Sequence, residues 1–207
     1  MLVCTLCPVY RILGALVFVL FFGIQKNQHN DFTMLRHLLL PLLLSISFCS
    51  QGQTSPDENL QRLGLTLPPT SAPIANYVKW VRTGNLLFTS GHGPTDANGV
   101  TTKGKLGADL TIEQGYAAAR LTGLQLLATL RQALGGDLTK VKRIVKVLGL
   151  VNCTDGFGDQ PKVMNGFSDL MVAVFGEKGK HARSAVGTNA LPNGMCIEIE
   201  MVVEIAE

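Results

Sequence analysis

The sequence lacks an apolar run long enough to cross a bilayer as a helix. Its two longest, residues 12–24 (ILGALVFVLFFGI) and 38–49 (LLLPLLLSISFC), hold 13 and 12 residues, against the roughly 18–20 that a spanning helix needs. There is also no cysteine or histidine spacing of the metal-binding type, so a zinc module is excluded. Of five cysteines only Cys153 and Cys196 fall beyond residue 52. Such residues on strands behave as small buried hydrophobes, and whether they pair oxidatively is not legible in spacing. Positive charge is scarce too. The formal net charge is +3, and residues 1–56 hold Arg11, Lys26, Arg36 and Asp31, or +2, which leaves 3 − 2 = +1 for the rest. A near-neutral domain has no basic footprint for nucleic acid. No internal repeat is visible.

The two short apolar runs suit the apolar core of a secretory signal. Residues 1–52 are therefore expected to be a hydrophobic leader. Translation starting at Met34 would give Arg36 and His37 as its positive end, with Ser50 and Gly52 as the small residues read by signal peptidase ahead of Gln53. The expected location is exported, in the periplasm; an uncleaved membrane anchor, a lipid on Cys49 and a cytoplasmic protein without a leader are the alternatives. Phe48 is bulky for a lipidation site. Residues 53–73 (QTSPDENLQRLGLTLPPTSAP) are polar and proline-rich and read as a linker, ahead of a domain spanning 74–207.

Within that domain YVKWVRTGNLLFTSG reads as a hairpin turning at Thr83-Gly84-Asn85. A glycine-rich loop follows. Thr111 and Gln114 form a capping box before an apolar stripe at positions 112, 116, 119, 123, 127, 130 and 134, which predicts a helix. Gly135-Gly136 stops it. Gly123 on that stripe suggests close helix–sheet approach. KVKRIVKVLGLVNCT is a strand whose second half is apolar at odd and even positions, hence covered on both faces. A second helix runs from near Pro161 to near Gly176, and two strands close the chain. The order β-β-α-β-α-β-β is α+β, a mixed sheet with two helices on one face. Two helices cover one face, so a second copy of the chain is expected on the other.

The last arm, MCIEIEMVVEI, alternates. Met195, Ile197, Ile199, Met201, Val203 and Ile205 point one way; Cys196, Glu198, Glu200, Val202 and Glu204 point the other. In HARSAVGT, His181, Arg183, Ala185 and Gly187 share a face. Joined through NALPNG, the two strands would run antiparallel and set Arg183 near Glu198 and Glu200 across the ladder. One reading is a solvated charge ladder. The other is a shallow pocket in which a planar cation grips a carboxylate while a glutamate positions or deprotonates a water.

NYVKWVRTGNLLFTSGHGP, VMNGFSDLMVAVFG and HARSAVGTNALPNGMCIEIEMVVEI, in this order over about 60–207, resemble the Rid (YjgF) family of reactive-intermediate deaminases. Ala-Arg-Ser, then Leu-Pro, then Ile-Glu-Ile-Glu carries most of the likeness. LGLTLPP in front is similar to a longer branch distinct from the archetype. The resemblance implies a chorismate-mutase-like fold and a homotrimer with sites between chains; the chemistry it implies needs no cofactor and no metal, while the near-neutral charge argues against nucleic acid and the membrane is met only through the leader. It implies hydrolysis of 2-aminoacrylate-type enamines and imines to 2-keto acids and ammonia. By that likeness Arg183 binds the substrate carboxylate, helped by the backbone N–H of Ala185. Glu198 orients the water, Tyr77, Ser90 and Gly91 line the pocket, and Asn165 reaches a neighbouring chain's pocket. His92 and His181 stand beside these motifs and are read as non-catalytic. Ala185 replaces the cysteine of many archetypal members, and His181 a proline. The alternative function is a trimeric binder of small carboxylates that performs no chemistry.

Overall fold

Residues 54–70 and 75–207 are described by a computed structural model, in which Gln53–Glu207 forms one unit. The expected leader, with Met34 and Cys49, lies outside the described residues. The expected linker lies partly inside them and is not a linker there. Pro56–Arg62 is a helix, α1, begun by a capping box in which Ser55 accepts from the Glu58 N–H and Glu58 accepts from the Ser55 N–H. Leu60 is buried, and Asn59 Nδ2 donates to Val174 O at 2.9 Å. Both contacts, and an ion pair between Asp57 and Arg131, hold this helix to the domain. Pro56 at its first turn is a helix start, not a breaker.

The first hairpin forms as the pattern predicts, with β1 at Trp80–Thr83, β2 at Leu86–Thr89 and Thr83 opposite Leu86. Gly84 at the turn has φ 56°, which glycine adopts without a Cβ penalty. Helix α2, Ile112–Ala133, starts at the Thr111/Gln114 capping box and stops before Gly135 and Gly136, both at positive φ. Strand β3 is Val141–Asn152, helix α3 is Gln160–Phe175, β4 is Ala182–Thr188 and β5 is Ile197–Ile205. The sheet runs β1-β2-β5-β3-β4; β3 and β4 are parallel and the other pairs antiparallel.

This order corrects the expected neighbourhood of the last two strands. β4 and β5 do run in opposite directions, but β3 lies between them. The long LPNG connection crosses over instead of making a hairpin, so Arg183 is not across a ladder from Glu198 or Glu200. Arg183 aligns with Val147 and Met201, and Glu198 with Leu150.

Helices α2 and α3 cover one face. Leu126, Leu127, Leu130, Phe167, Leu170 and Met171 pack there with Val147, Val151, Ile199 and Met201, all at 2% exposure or less. Each such side chain contributes about 1.5–3 kcal/mol by leaving water. α1 packs beside α3 as a third helix. Gly123 faces Leu170 and Phe167 of α3, where an added Cβ would lie 2.8 Å from a Leu170 methyl and 3.2 Å from a Phe167 ring carbon. Its close approach is therefore helix to helix, not helix to sheet. Gly166 answers it: a methyl there would collide with Tyr116 O of α2.

The opposite sheet face carries no helix among the described residues. Val81, Phe88 and Val202 align across three strands on it. Val81 is 56% exposed and Phe88 41%, while Leu148 and Leu150 of β3 are half-buried. This is the doubly apolar half of the strand, uncovered within one chain.

Candidate active site

Arg183 sits on β4, the edge strand, and its odd position turns it under α3. Nη1 donates to Ser168 Oγ at 2.9 Å and Asn165 Oδ1 at 3.1 Å, and Nη2 to Pro161 O at 3.3 Å. All three acceptors belong to the first nine residues of α3, where residues three and four apart share a face. Ala185 lies two residues on, on the same face, half-buried against the core. Gly187 follows where a Cβ would meet Cys153 and Gln160 at 2.8 and 2.9 Å. Ser184 points the other way and accepts from Lys146 Nζ at 2.8 Å. Arg183, Asn165 and Ala185 thus form one cluster within the chain, whereas the resemblance set Asn165 at a neighbouring chain's pocket.

Tyr77, Ser90 and Gly91 form another. With Lys79, Gln125 and Thr95 they line a cleft of about 320 Å³. The loop after β2 is held to β5 by the His92 and Ile199 backbones, which exchange hydrogen bonds of 2.9 and 3.0 Å. That pairing lays Gly91 beneath Glu198: any side chain at Gly91 would collide with Oε1. Glu198 lies on the helix-free face. Burial, and then the charge of Glu200, raise its pKa above the ordinary 4.5.

The two clusters do not meet in one chain. Three residues along β5 and two strands across separate Glu198 from the Arg183 row. At about 3.3 Å per residue and 4.8 Å per strand, that is about 14 Å between Cα atoms. The side chains also leave the sheet on opposite faces.

His92 and His181 both spend their ring nitrogens on internal hydrogen bonds. His92 Nδ1 donates to Ser90 O at 2.9 Å, so Nε2 of the neutral ring accepts from Thr129 Oγ1 at 2.8 Å. Burial lowers its pKa. His181 is bonded to Gly179 O and Ser168 Oγ. Cys153 and Cys196 are free and buried, and burial pushes the Cys196 thiol up to about 11. Asn152 of the Asn-Cys-Thr triplet is buried, with Nδ2 donating to Gly104 O and Met195 O, which excludes it as a glycan acceptor. Among the described residues, no three His, Cys, Asp or Glu side chains cluster as a metal site, and no helix is long and apolar enough to cross a membrane. Ser168 escaped the sequence reading. Its one signal is its place three residues after Asn165, on the same face of α3.

The raised Glu198 pKa has a stability consequence. The folded state holds this proton more tightly than the unfolded chain, so stability falls as pH rises from the ordinary carboxylate value through the folded one. Above that window the ionised carboxylate is a net cost. Glu198→Gln is expected to raise Tm at pH 8 by on the order of 1–2 °C, with the difference gone below pH ~4. A Tm at pH 8 no higher than wild type contradicts a desolvated Glu198.

Comparison with known proteins follows the same residues. The model of the family described as "YjgF/chorismate_mutase-like, putative endoribonuclease" matches residues 57–205. The chain belongs to the YjgF (Rid) family. Protein TCP17 of Trypanosoma cruzi is 47% identical over 148 residues, covering 71% of this chain and 92% of its own length. Among solved structures, protein Atu1372 of Agrobacterium tumefaciens is 39% identical with a TM-score of 0.67, covering 72% of this chain and 93% of that one. A protein from Shewanella oneidensis MR-1 described as a "putative endoribonuclease" is 35% identical with a TM-score of 0.70, covering 73% and 100%. The YjgF match begins at Asp57, inside α1, so the helix misread as linker falls within the family region. The mixed five-stranded sheet with its helices on one face is the family's chorismate-mutase-like architecture.

Proposed function

We propose that this YjgF-family chain is a hydrolytic deaminase of small enamines and imines that carry a carboxylate, working as a homotrimer with its sites between chains. The observation that carries this reading is the division of the site. Arg183 and Asn165 lie on one side of the sheet. Glu198 and the Tyr77–Ser90–Gly91 cleft form the other half. Each half has only part of the chemistry, and a neighbouring copy supplies the missing part. The uncovered apolar face around Val81 and Phe88 supports such a neighbour, since patches of this kind mark interfaces.

Arg183 holds the substrate carboxylate through paired N–H donors. The imine carbon then lies beside a water bonded to Glu198 of the neighbouring chain. An enamine substrate first takes a proton at its terminal carbon and becomes the protonated imine, the form that water attacks. Glu198 accepts a proton from the water as the C–O bond forms, giving a carbinolamine. It returns that proton to nitrogen, then takes the hydroxyl proton as the C–N bond breaks, so that ammonia leaves with the 2-keto acid. Placement and one general base suffice, the base being typically worth 10²–10⁴-fold. The net charge of +1 beyond residue 56 and the commitment of both histidines favour this small substrate over RNA.

The test is keto-acid release from imines made in situ by an amino-acid oxidase. Glu198→Gln is expected to lower kcat by about 10²–10⁴-fold while 2-oxobutyrate binds as before. Binding by wild type and variant alike with no turnover by either would make the protein a carboxylate binder instead. RNA cleavage that survives Glu198→Gln would move the activity off this site.

A further inference from the structure

The Arg183 guanidinium has five N–H donors, and their directions are unequally spent. Both Nη1 protons go to α3, one to Ser168 Oγ at 2.9 Å and one to Asn165 Oδ1 at 3.1 Å. One Nη2 proton goes to Pro161 O at 3.3 Å. The Nε proton and the second Nη2 proton have no partner among the described residues. Nε and Nη2 form one edge of the planar group, the kind of edge that meets both oxygens of a carboxylate.

Behind this arrangement stands a second layer. His181 Nδ1 lies 2.7 Å from Gly179 O, and a carbonyl only accepts, so Nδ1 carries the proton. In the neutral ring Nε2 is then an acceptor, 3.1 Å from Ser168 Oγ. The Ser168 hydroxyl proton is directed at His181, and its lone pairs are left to face Arg183. Burial favours the neutral ring by lowering its pKa, and the Arg183 charge adds to this. The ring is itself held edge-on to Phe167, with centroids 5.8 Å apart and planes at 68°.

We infer that Ser168 and His181 are positioning residues that fix the Arg183 guanidinium so that its Nε–Nη2 edge stays presented to the substrate carboxylate. Without the ring nitrogen, the serine hydroxyl turns freely and aims its proton at Arg183 part of the time. Without the serine, Nη1 loses one of two acceptors and the planar group rotates. His181 acts on substrate only through Ser168 and Arg183. The inference rests on the reading of Arg183 given under the proposed function.

The experiment measures Kd for 2-oxobutyrate and for its neutral amide by titration calorimetry on the full chain. The variants are Ser168→Ala, His181→Phe, His181→Gln, Ser168→Ala/His181→Phe and Arg183→Ala. Phenylalanine keeps the ring packing and deletes both nitrogens; glutamine returns a polar group near the place of Nε2. Ser168→Ala and His181→Phe are each expected to weaken 2-oxobutyrate about tenfold and leave the amide unchanged. His181→Gln should recover most of the loss, and the double variant should bind no worse than Ser168→Ala alone. Wild-type affinity in Ser168→Ala overturns the inference, as does equal loss of acid and amide, or additive loss in the double variant. If His181→Phe does not fold, Ser168→Ala and His181→Gln decide alone. Undiminished binding of 2-oxobutyrate by Arg183→Ala, or none by wild type, removes the reading of Arg183 itself.

Discussion

Replacing Arg183 with alanine is expected to lower kcat/KM for an oxidase-generated 2-imino acid by about 100- to 1000-fold, the size of a lost bidentate charge-assisted pair. The fold should survive. Arg183 is on an edge strand, only partly buried, and its acceptors Asn165 and Pro161 lie at an exposed helix end. Arg183→Lys should recover little, because a point ammonium cannot offer two parallel donors and cannot keep three acceptors on α3 satisfied at once. The loss should sit mainly in KM if the carboxylate contact is equal in ground and transition state, and spread into kcat if it also orients the imine. A variant with wild-type kcat/KM would detach Arg183 from the reaction.

The second large effect is a recovery. Arg183→Ala and Glu198→Gln homo-oligomers are each expected to be nearly inactive. In co-assembled mixtures at equal ratio, a site takes its Arg183 half from one chain and its Glu198 half from the next. About a quarter of such sites pair two intact halves. Activity should therefore rise from near zero to about a quarter of wild type when the two variants are refolded together. If each chain carried a whole site, every site would lack one group and no activity would return. The division of the site, about 14 Å and one sheet thickness apart in a single chain, is the reason to expect recovery.

Much of the fold was legible because it is written in local chemistry. The Thr111/Gln114 box, the Gly135-Gly136 stop and the seven-position apolar stripe define α2 without any distant partner. Alternation placed Glu198 and Glu200 away from the face of Ile197, Ile199 and Met201, and set Arg183 on the face of Ala185 and Gly187. The helix α1 was missed because its seven residues are too few to show a period, and what docks it is a contact 115 residues away, from Asn59 to Val174 O.

Alternation states which face a side chain takes; it does not state which strand lies alongside. β3 entered between β4 and β5 because a strand with two apolar faces is best buried in the sheet interior, leaving β4 at the edge. That choice, made by the burial of the whole sheet, moved Arg183 away from Glu198 and turned one supposed ladder into two half-sites. It also brought α3 over Arg183, so that Ser168, 15 residues from it in sequence, reaches the guanidinium and is itself bonded to His181. Residue types and their faces come from the sequence alone. Which of them meet is decided by strand order and helix docking, because these depend on contacts between segments that no local pattern specifies.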